Sequence, residues 1–225
     1  LFIKTVDSEE KAIQLTSGFQ DFQNAEWSPD GKRVICDSKV YAIHPDRERD
    51  SDIWIIDVES KQAKQFLTWP GYTIGNAQFS PDGTIVSFNA SSTDRRFYAQ
   101  SIISVATAAG SNPTLLTSSL DRDAGGVVWS DDSKTIYFAA QADGDIPIYS
   151  VSAKGGAIAK IVGNDNGVND FDIRNDKVVY ALTETKNPWE VYLMGLKDKS
   201  NRQLTNLNEG WIKDKVLQEK IQDKR

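Results

Sequence analysis

Three short stretches decide the fold: WSPDG at 27–31, FSPDG at 79–83 and WSDDS at 129–133. Each runs an aromatic residue straight into a turn. In Ser-Pro-Asp-Gly, proline presets φ, aspartate bonds its own backbone, and glycine takes the φ > 0 position of a tight hairpin. Asp30, Gly31, Asp82 and Gly83 are therefore expected to serve folding and not binding. Working outward, an "apolar-Leu-Thr" signature recurs as QLT at 14–16, FLT at 66–68, LLT at 115–117, a degenerate KIV at 160–162, and QLT at 203–205. Its starts are spaced by 52, 49, 45 and 43 residues. Roughly ten residues after each of the first four comes an aromatic: Trp27, Phe79, Trp129 and Phe171. Two independent markers share one drifting period, and periods of ~40–50 residues with four strands each mark propeller blades.

Each repeat divides into four short strands rich in Val, Ile, Tyr, Phe and Trp, punctuated by Gly, Asp, Asn, Ser and Pro. The expected strands are 24–28, 33–38, 52–58 and 63–68, then 76–80, 84–90, 101–107 and 113–117. The third repeat gives 126–130, 135–140, 147–152 and 157–162, and the fourth 168–173, 177–183, 190–196 and 201–205. No stretch before residue 211 carries a 3.6-residue apolar period, so helix content should be low. Two further strands, 1–6 and 11–16, resemble the third and fourth strands of a preceding blade. The expected class is an all-β propeller of four-stranded blades: four complete blades plus half of a preceding one, an incomplete ring. The segments are 1–16 for the half blade, 17–68, 69–117, 118–162 and 163–205 for the blades, and 206–225 for a tail or linker. On this basis the chain is expected to be a fragment, with a closed four-blade ring as the alternative.

Composition fits a globular chain with a substantial core: 225 residues, 39% hydrophobic and 26% charged. Lys and Arg number 26 against 32 Asp and Glu, a net charge of −6. That balance argues against a nucleic-acid partner, which calls for a basic face to release counterions. One Cys excludes a disulfide within the chain, and one Cys with one His leaves too few soft ligands for a zinc site. No cofactor or metal is expected. No apolar run approaches the ~20 residues of a membrane span, and the first residues do not form a signal peptide. A mature secreted chain would lack one too, so the compartment stays open.

SPDG followed by the apolar pairs Val34-Ile35 and Ile85-Val86 is shared with TolB-like and WD-related propellers. Three stretches go further: RRFYAQSIISV at 95–105, LLTSSLDRDAGGVVWSDDSKTIYFAAQADGDIPIYSV at 115–151, and NPWEVYLMGLKDKSNRQLTNLNEGW at 187–211. They resemble the propeller domain of the prolyl oligopeptidase family of serine peptidases, in its acylaminoacyl-peptidase-like and dipeptidyl-peptidase-like branch. In that family a similar "LT-x-x-N-x-x-W" segment leaves the final blade toward the hydrolase domain. The resemblance implies a substrate-gating propeller covalently linked to an α/β-hydrolase domain with a Ser-Asp-His triad, acting on short peptides. It also gives a lean toward a bacterial extracytoplasmic (periplasmic or secreted) location. The chain departs from the family's catalytic pattern. It contains no G-x-S-x-G, so no nucleophile elbow, and its sole His, His44, has no elbow serine to serve. No catalytic residue carries over. The alternative is a non-enzymatic TolB-like protein-interaction propeller.

Strand order sends the SPDG turns and the hairpins between third and fourth strands to one face. The loops between second and third strands, and the blade linkers, go to the other, and these are long and chemically rich. Binding residues concentrate on such loops over a rigid scaffold. The sharpest cluster is Thr93-Asp94-Arg95-Arg96-Phe97-Tyr98, where Arg95 and Arg96 beside Phe97 and Tyr98 suit a peptide carboxylate or carbonyl. The competing account is a solvated loop whose Arg pairs with Asp94 or packs on Phe97. Arg122, between Asp121 and Asp123, suits a substrate or interdomain contact or an internally paired turn. Glu190, after Trp189, offers a carboxylate to a substrate amine, while Trp189 also suits packing between blades. Residues 44–50 alternate in charge, as solvated loops do. Residues 164–167, Asn-Asp-Asn-Gly, hint at a calcium loop but lack its carboxylate count and distal Glu. Cys36 alternates with Val34 and suits the core. The tail from Trp211 suits either a short amphipathic helix or, by the resemblance, an extended linker.

Overall fold

The computed structural model describes residues 1–18, 20–40, 50–95, 98–142, 144–163, 167–184 and 186–216. Within them the chain forms four antiparallel four-stranded meanders. The first joins β3 (Gln20–Trp27), β4 (Arg33–Val40), β5 (Asp52–Asp57) and β6 (Ala63–Leu67). The second joins β7 (Tyr72–Phe79), β8 (Ile85–Ser92), β9 (Ile102–Thr107) and β10 (Thr114–Leu115). The third joins β11 (Ala124–Trp129), β12 (Thr135–Ala140), β13 (Ile148–Ser152) and β14 (Ala159–Val162). The fourth joins β15 (Gly167–Arg174), β16 (Lys177–Glu184), β17 (Asn187–Gly195) and β18 (Asn201–Gln203). Ahead of them, β1 (Phe2–Ile3) pairs with β2 (Ile13–Gln14) as a two-stranded sheet. Among the described residues helix is confined to a 3-10 turn at Thr93–Arg95 and one α-helical turn, α1 (Glu209–Ile212), which buries no residue.

The chain divides into two compact units, Leu1–Asp121 and Arg122–Arg225. In the first, Ile35, Ile53, Ile74, Phe79 and Phe88 belong to one buried cluster drawn from the first two meanders. The other face of the first meander, with Val34, Cys36 and Ile56, packs under Leu15 and Ile3 of the β1–β2 pair. Middle strands are thus covered on both faces, and each fully buried Ile or Phe contributes roughly 1.5–3 kcal/mol of apolar burial. Cys36 is a core residue as its alternation indicates, and burial pushes its thiol up to about 12. In the second unit Ile148, Val168, Val178, Tyr180 and Met194 share a core.

The turns form as their residues dictate. Gly31 and Gly83 have φ of 67° and 70°, and Ser133 takes the same conformation at 60° in the third meander. Asp82 Oδ1 accepts from Thr84 N at 3.0 Å and from Ser80 Oγ at 2.7 Å, while Ser80 Oγ accepts from Ile85 N at 3.1 Å. Asp30 and Asp132 repeat the pattern, accepting from the amides of Lys32 and Lys134 at 3.1 Å each. The fourth meander substitutes a two-residue hairpin, Asn175 and Asp176, both at positive φ, as a type I′ turn requires.

Two boundary expectations are corrected. The first three inner strands begin earlier than expected, at Gln20, Tyr72 and Ala124, because each continues through a β-bulge; the fourth, whose bulge between Val168 and Asp170 lies inside the expected span, begins one residue earlier, at Gly167. At three of the bulges a positive-φ residue, Asn24, Asn76 or Gly126, interrupts the alternation that marks a strand. The outer strands of the second and fourth meanders stop short of the signature threonine, because that threonine closes the meander differently. Leu116 N donates to Ile103 O at 2.8 Å while Thr117 Oγ1 accepts from Ile103 N at 2.9 Å. Leu204, Thr205 and Val191 repeat this arrangement at 2.7 and 2.9 Å. The aromatics before the turns also differ. Phe79 is 7% exposed, with the Arg33 guanidinium 5.5 Å from its ring centroid, whereas Trp27 at the same place in the first meander is 51% exposed.

Candidate functional site

Hydrogen bonds sort the connections onto two faces within each unit. On one, the turn after the inner strand meets the end of the third strand: Val58 N donates to Lys32 O, Ala108 N to Thr84 O, Ala153 N to Lys134 O and Leu196 N to Asp176 O, all at 2.8–2.9 Å. On the other face lie the longer loops and the linkers between meanders. Here Thr93 N donates to Gly71 O at 2.9 Å, tying the loop after β8 to the linker ahead of β7. Ile74 N donates to Ser51 O at 2.9 Å, and Ser51 Oγ donates to Ile74 O at 2.7 Å, tying the approach to β5 to the next meander.

The linker to which the candidate loop after β8 is tied carries an aromatic cluster. Trp69 lies with its ring centroid 4.5 Å from that of Tyr72 and 6.0 Å from that of the buried Phe88. The Thr93–Arg95 turn is held by the bond from Thr93 to Gly71, and Asp94 N donates to Ser92 Oγ at 3.3 Å. Tyr98 projects into solvent, and Gln100 Nε2 donates to Asp121 Oδ1 at 2.7 Å. The structure therefore brings Gln100 and Asp121 together and leaves Tyr98 displayed beside them in sequence. Arg96 and Phe97 lie outside the described residues, and Arg95 is described by its backbone alone. Arg122 is exposed and begins the second unit. His44 and residues 164–166 also lie outside the described residues. Among the described residues no helix is long and apolar enough to cross a membrane.

Glu190 belongs to the second unit, in β17 of the fourth meander, and is 1% exposed. Its carboxylate accepts from Thr205 Oγ1 and, through Oε1, from Asn208 N and Asn208 Nδ2, each at 2.9 Å. The hydrogen bond from Thr205 is the chief cause holding the Glu190 carboxyl below its ordinary range, against the opposing effect of burial. Its neighbour Trp189 is half exposed.

A second buried carboxylate escaped the sequence reading. Asp37, in β4, is 9% exposed and reaches across to the next meander. Its Oδ1 accepts from Asn76 N at 2.9 Å and its Oδ2 from Asn24 Nδ2 at 2.7 Å. Gly75 makes room for it: a Cβ there would lie 2.8 Å from Asp37 Oδ2. Burial raises the Asp37 carboxyl above its ordinary range, with the bonds from Asn24 and Asn76 acting in the opposite direction. The available signal was its placement in strand register with Arg33 and Ile35, where a carboxylate has to face a packed neighbour.

A four-stranded antiparallel meander with a bulged inner strand, repeated with short turns on one face and long loops on the other, defines a β-propeller blade. The chain belongs to the TolB β-propeller domain family (PD40), whose pattern matches residues 26–211. Among curated proteins it is similar to Dipeptidyl-peptidase 5 of Porphyromonas gingivalis, with 26% identity over 194 residues, covering 85% of this chain and 28% of that protein. The chain thus spans less than a third of the length of the curated relative it matches. Among solved structures it resembles TolB from Acinetobacter baumannii, with a TM-score of 0.66 and 17% identity, over 91% of this chain and 48% of that one. The β-propeller domain of the Trilobed protease from Pyrococcus furiosus gives a TM-score of 0.66 and 17% identity, over 88% of this chain and 55% of that one. The structural likenesses establish the fold, and the curated relative upholds the resemblance to peptidase propellers read from 95–105, 115–151 and 187–211.

Proposed function

We propose that this chain is the propeller portion of a serine peptidase acting on short peptides. It would screen substrates ahead of a covalently linked α/β-hydrolase domain that supplies the catalytic triad. The observation that carries this is the 26% identity to Dipeptidyl-peptidase 5 across 85% of the chain. The chain brings no elbow serine, and its part is recognition and access. The loop at 93–98, with Arg95, Arg96, Phe97 and Tyr98, and with Arg122 further along, is the proposed peptide-facing surface on the long-loop face. A guanidinium fork suits a peptide carboxylate or carbonyl, and an exposed tyrosine offers a stacking surface.

The membership in the TolB domain family favours a second reading, a propeller that binds other proteins and catalyses nothing. The reading frame of the parent gene separates the two. A G-x-S-x-G followed by Asp and then His within a few hundred codons after Arg225 supports the peptidase, and a stop codon at that point overturns it. The purified 225 residues alone are expected to leave dipeptidyl and aminoacyl reporter substrates intact. Hydrolysis that a serine-directed inhibitor abolishes would contradict the assignment of catalysis to another domain.

A further inference from the structure

We propose that Glu190 is a latch that fixes the path by which the chain leaves the fourth blade, through bonds from its buried carboxylate to Thr205 and Asn208. A buried carboxylate persists only where donors replace its lost water. Here they come from one short segment. Thr205 Oγ1 donates to one carboxylate oxygen, and the backbone and side-chain nitrogens of Asn208 both donate to the other. Asn208 Nδ2 also lies 3.0 Å from Pro188 O and 3.2 Å from Trp189 O, so the same side chain grips the strand backbone just ahead of Glu190. Asn208 O then accepts from Trp211 N at 3.0 Å, so α1 starts where the grip ends.

Closing a blade does not require this carboxylate. In the second blade Thr117 and Leu116 close on Ile103 with the same pair of bonds that Thr205 and Leu204 make to Val191. The residue before Ile103, at the place of Glu190, is Ile102, whose side chain offers no acceptor. The fourth blade keeps the threonine closure and adds an ionised group whose donors all lie at or beyond residue 205. The added interaction therefore acts on the outgoing chain and not on the sheet. The lowered pKa of Glu190 is consistent, since it keeps the acceptor charged to lower pH than an ordinary glutamate.

Hydrogen–deuterium exchange on the 225-residue chain tests the latch. In Glu190→Ala, amides between 205 and 212 are expected to exchange at least about tenfold faster, Asn208 most of all, while the amides of β16 keep their protection. Unchanged exchange over 205–212 with β16 intact would overturn the proposal. If Glu190→Ala also strips protection from β16, the variant Asn208→Ala, at a half-buried position, decides. It removes the side-chain donors alone, so the latch demands faster exchange over 205–212 with β16 protected. Exchange at the wild-type rate there would count against the latch.

Discussion

Asp37 and Glu190 are both carboxylates buried in blade strands, yet the protein moves their acidities in opposite directions. Asp37 spans two blades and accepts from Asn24 Nδ2 and Asn76 N, yet burial prevails: its carboxyl is raised. Glu190 accepts from Thr205 Oγ1 and from the backbone and side-chain nitrogens of Asn208, and hydrogen bonding prevails: its carboxyl is lowered. In each case the direction is set by the balance between the water lost and the hydrogen bonds that replace it. The stability consequences oppose each other as well. Glu190 contributes stability above the pKa of an unfolded glutamate, lost as pH falls through its lowered value. Asp37 withdraws stability as pH rises from the pKa of an unfolded aspartate through its raised value.

The largest expected effect comes from Glu190→Ala, which removes the acceptor for Thr205 and Asn208. It is read in the faster amide exchange over 205–212 and not in the denaturation midpoint. Exchange there at the wild-type rate would mean that the donors find water and the contrast with Asp37 is empty. Gly75→Ala comes next, because its Cβ would press on the pinned Asp37 carboxylate. We expect a loss of roughly 1–3 kcal/mol, much of it recovered in the Gly75→Ala/Asp37→Ala double variant. Additive losses in a double-mutant cycle would show that Asp37 is not what Gly75 accommodates. The smallest effect belongs to Asp37→Asn. Titrated with denaturant from about pH 3 to pH 7, the variant should gain on wild type as pH rises through the carboxylate range and then level off. Lys39 is the charged neighbour acting on Asp37 in the other direction. A pH-independent difference would show that burial does not raise this carboxyl.

Most of the fold was legible in the sequence because its markers are local. The SPDG turns need only their own side chains, and the Leu-Thr signature marks each closure even though its role, accepting the third-strand amide, emerges only with the strands in place. The inner-strand starts were not legible, since positive-φ Asn24 and Asn76 look like loop residues and end the alternation prematurely. The site was less legible. Asp37 stands near the end of the expected strand 33–38, and nothing local announces that Asn76, 39 residues on, supplies its donor. Glu190 has the look of an exposed acid beside Trp189, because its donors at Thr205 and Asn208 are brought to it by the fourth strand's departure. Arg96 and Phe97 remain outside the described residues.

The bulges in the inner strands also set a rule of parity. Phe22 and Trp27, Ile74 and Phe79, Ala124 and Trp129, and Val168 and Ile173 are each five positions apart, an odd count that puts two side chains on opposite faces of a regular strand. In each case the bulge falls between them and restores a common face. The extra residue is therefore part of the repeat's grammar, and losing one residue there differs in kind from losing two. Deleting Asn76 alone removes the bulge and leaves Ile74 and Phe79 four positions apart, still on one face; deleting Gly75 and Asn76 together leaves them three apart and turns Phe79 out of the core, which a dye that binds exposed apolar surface would report. A two-residue change in a long loop of the opposite face leaves every such pair in phase, so these blades can vary their loops freely while their inner strands keep a fixed length.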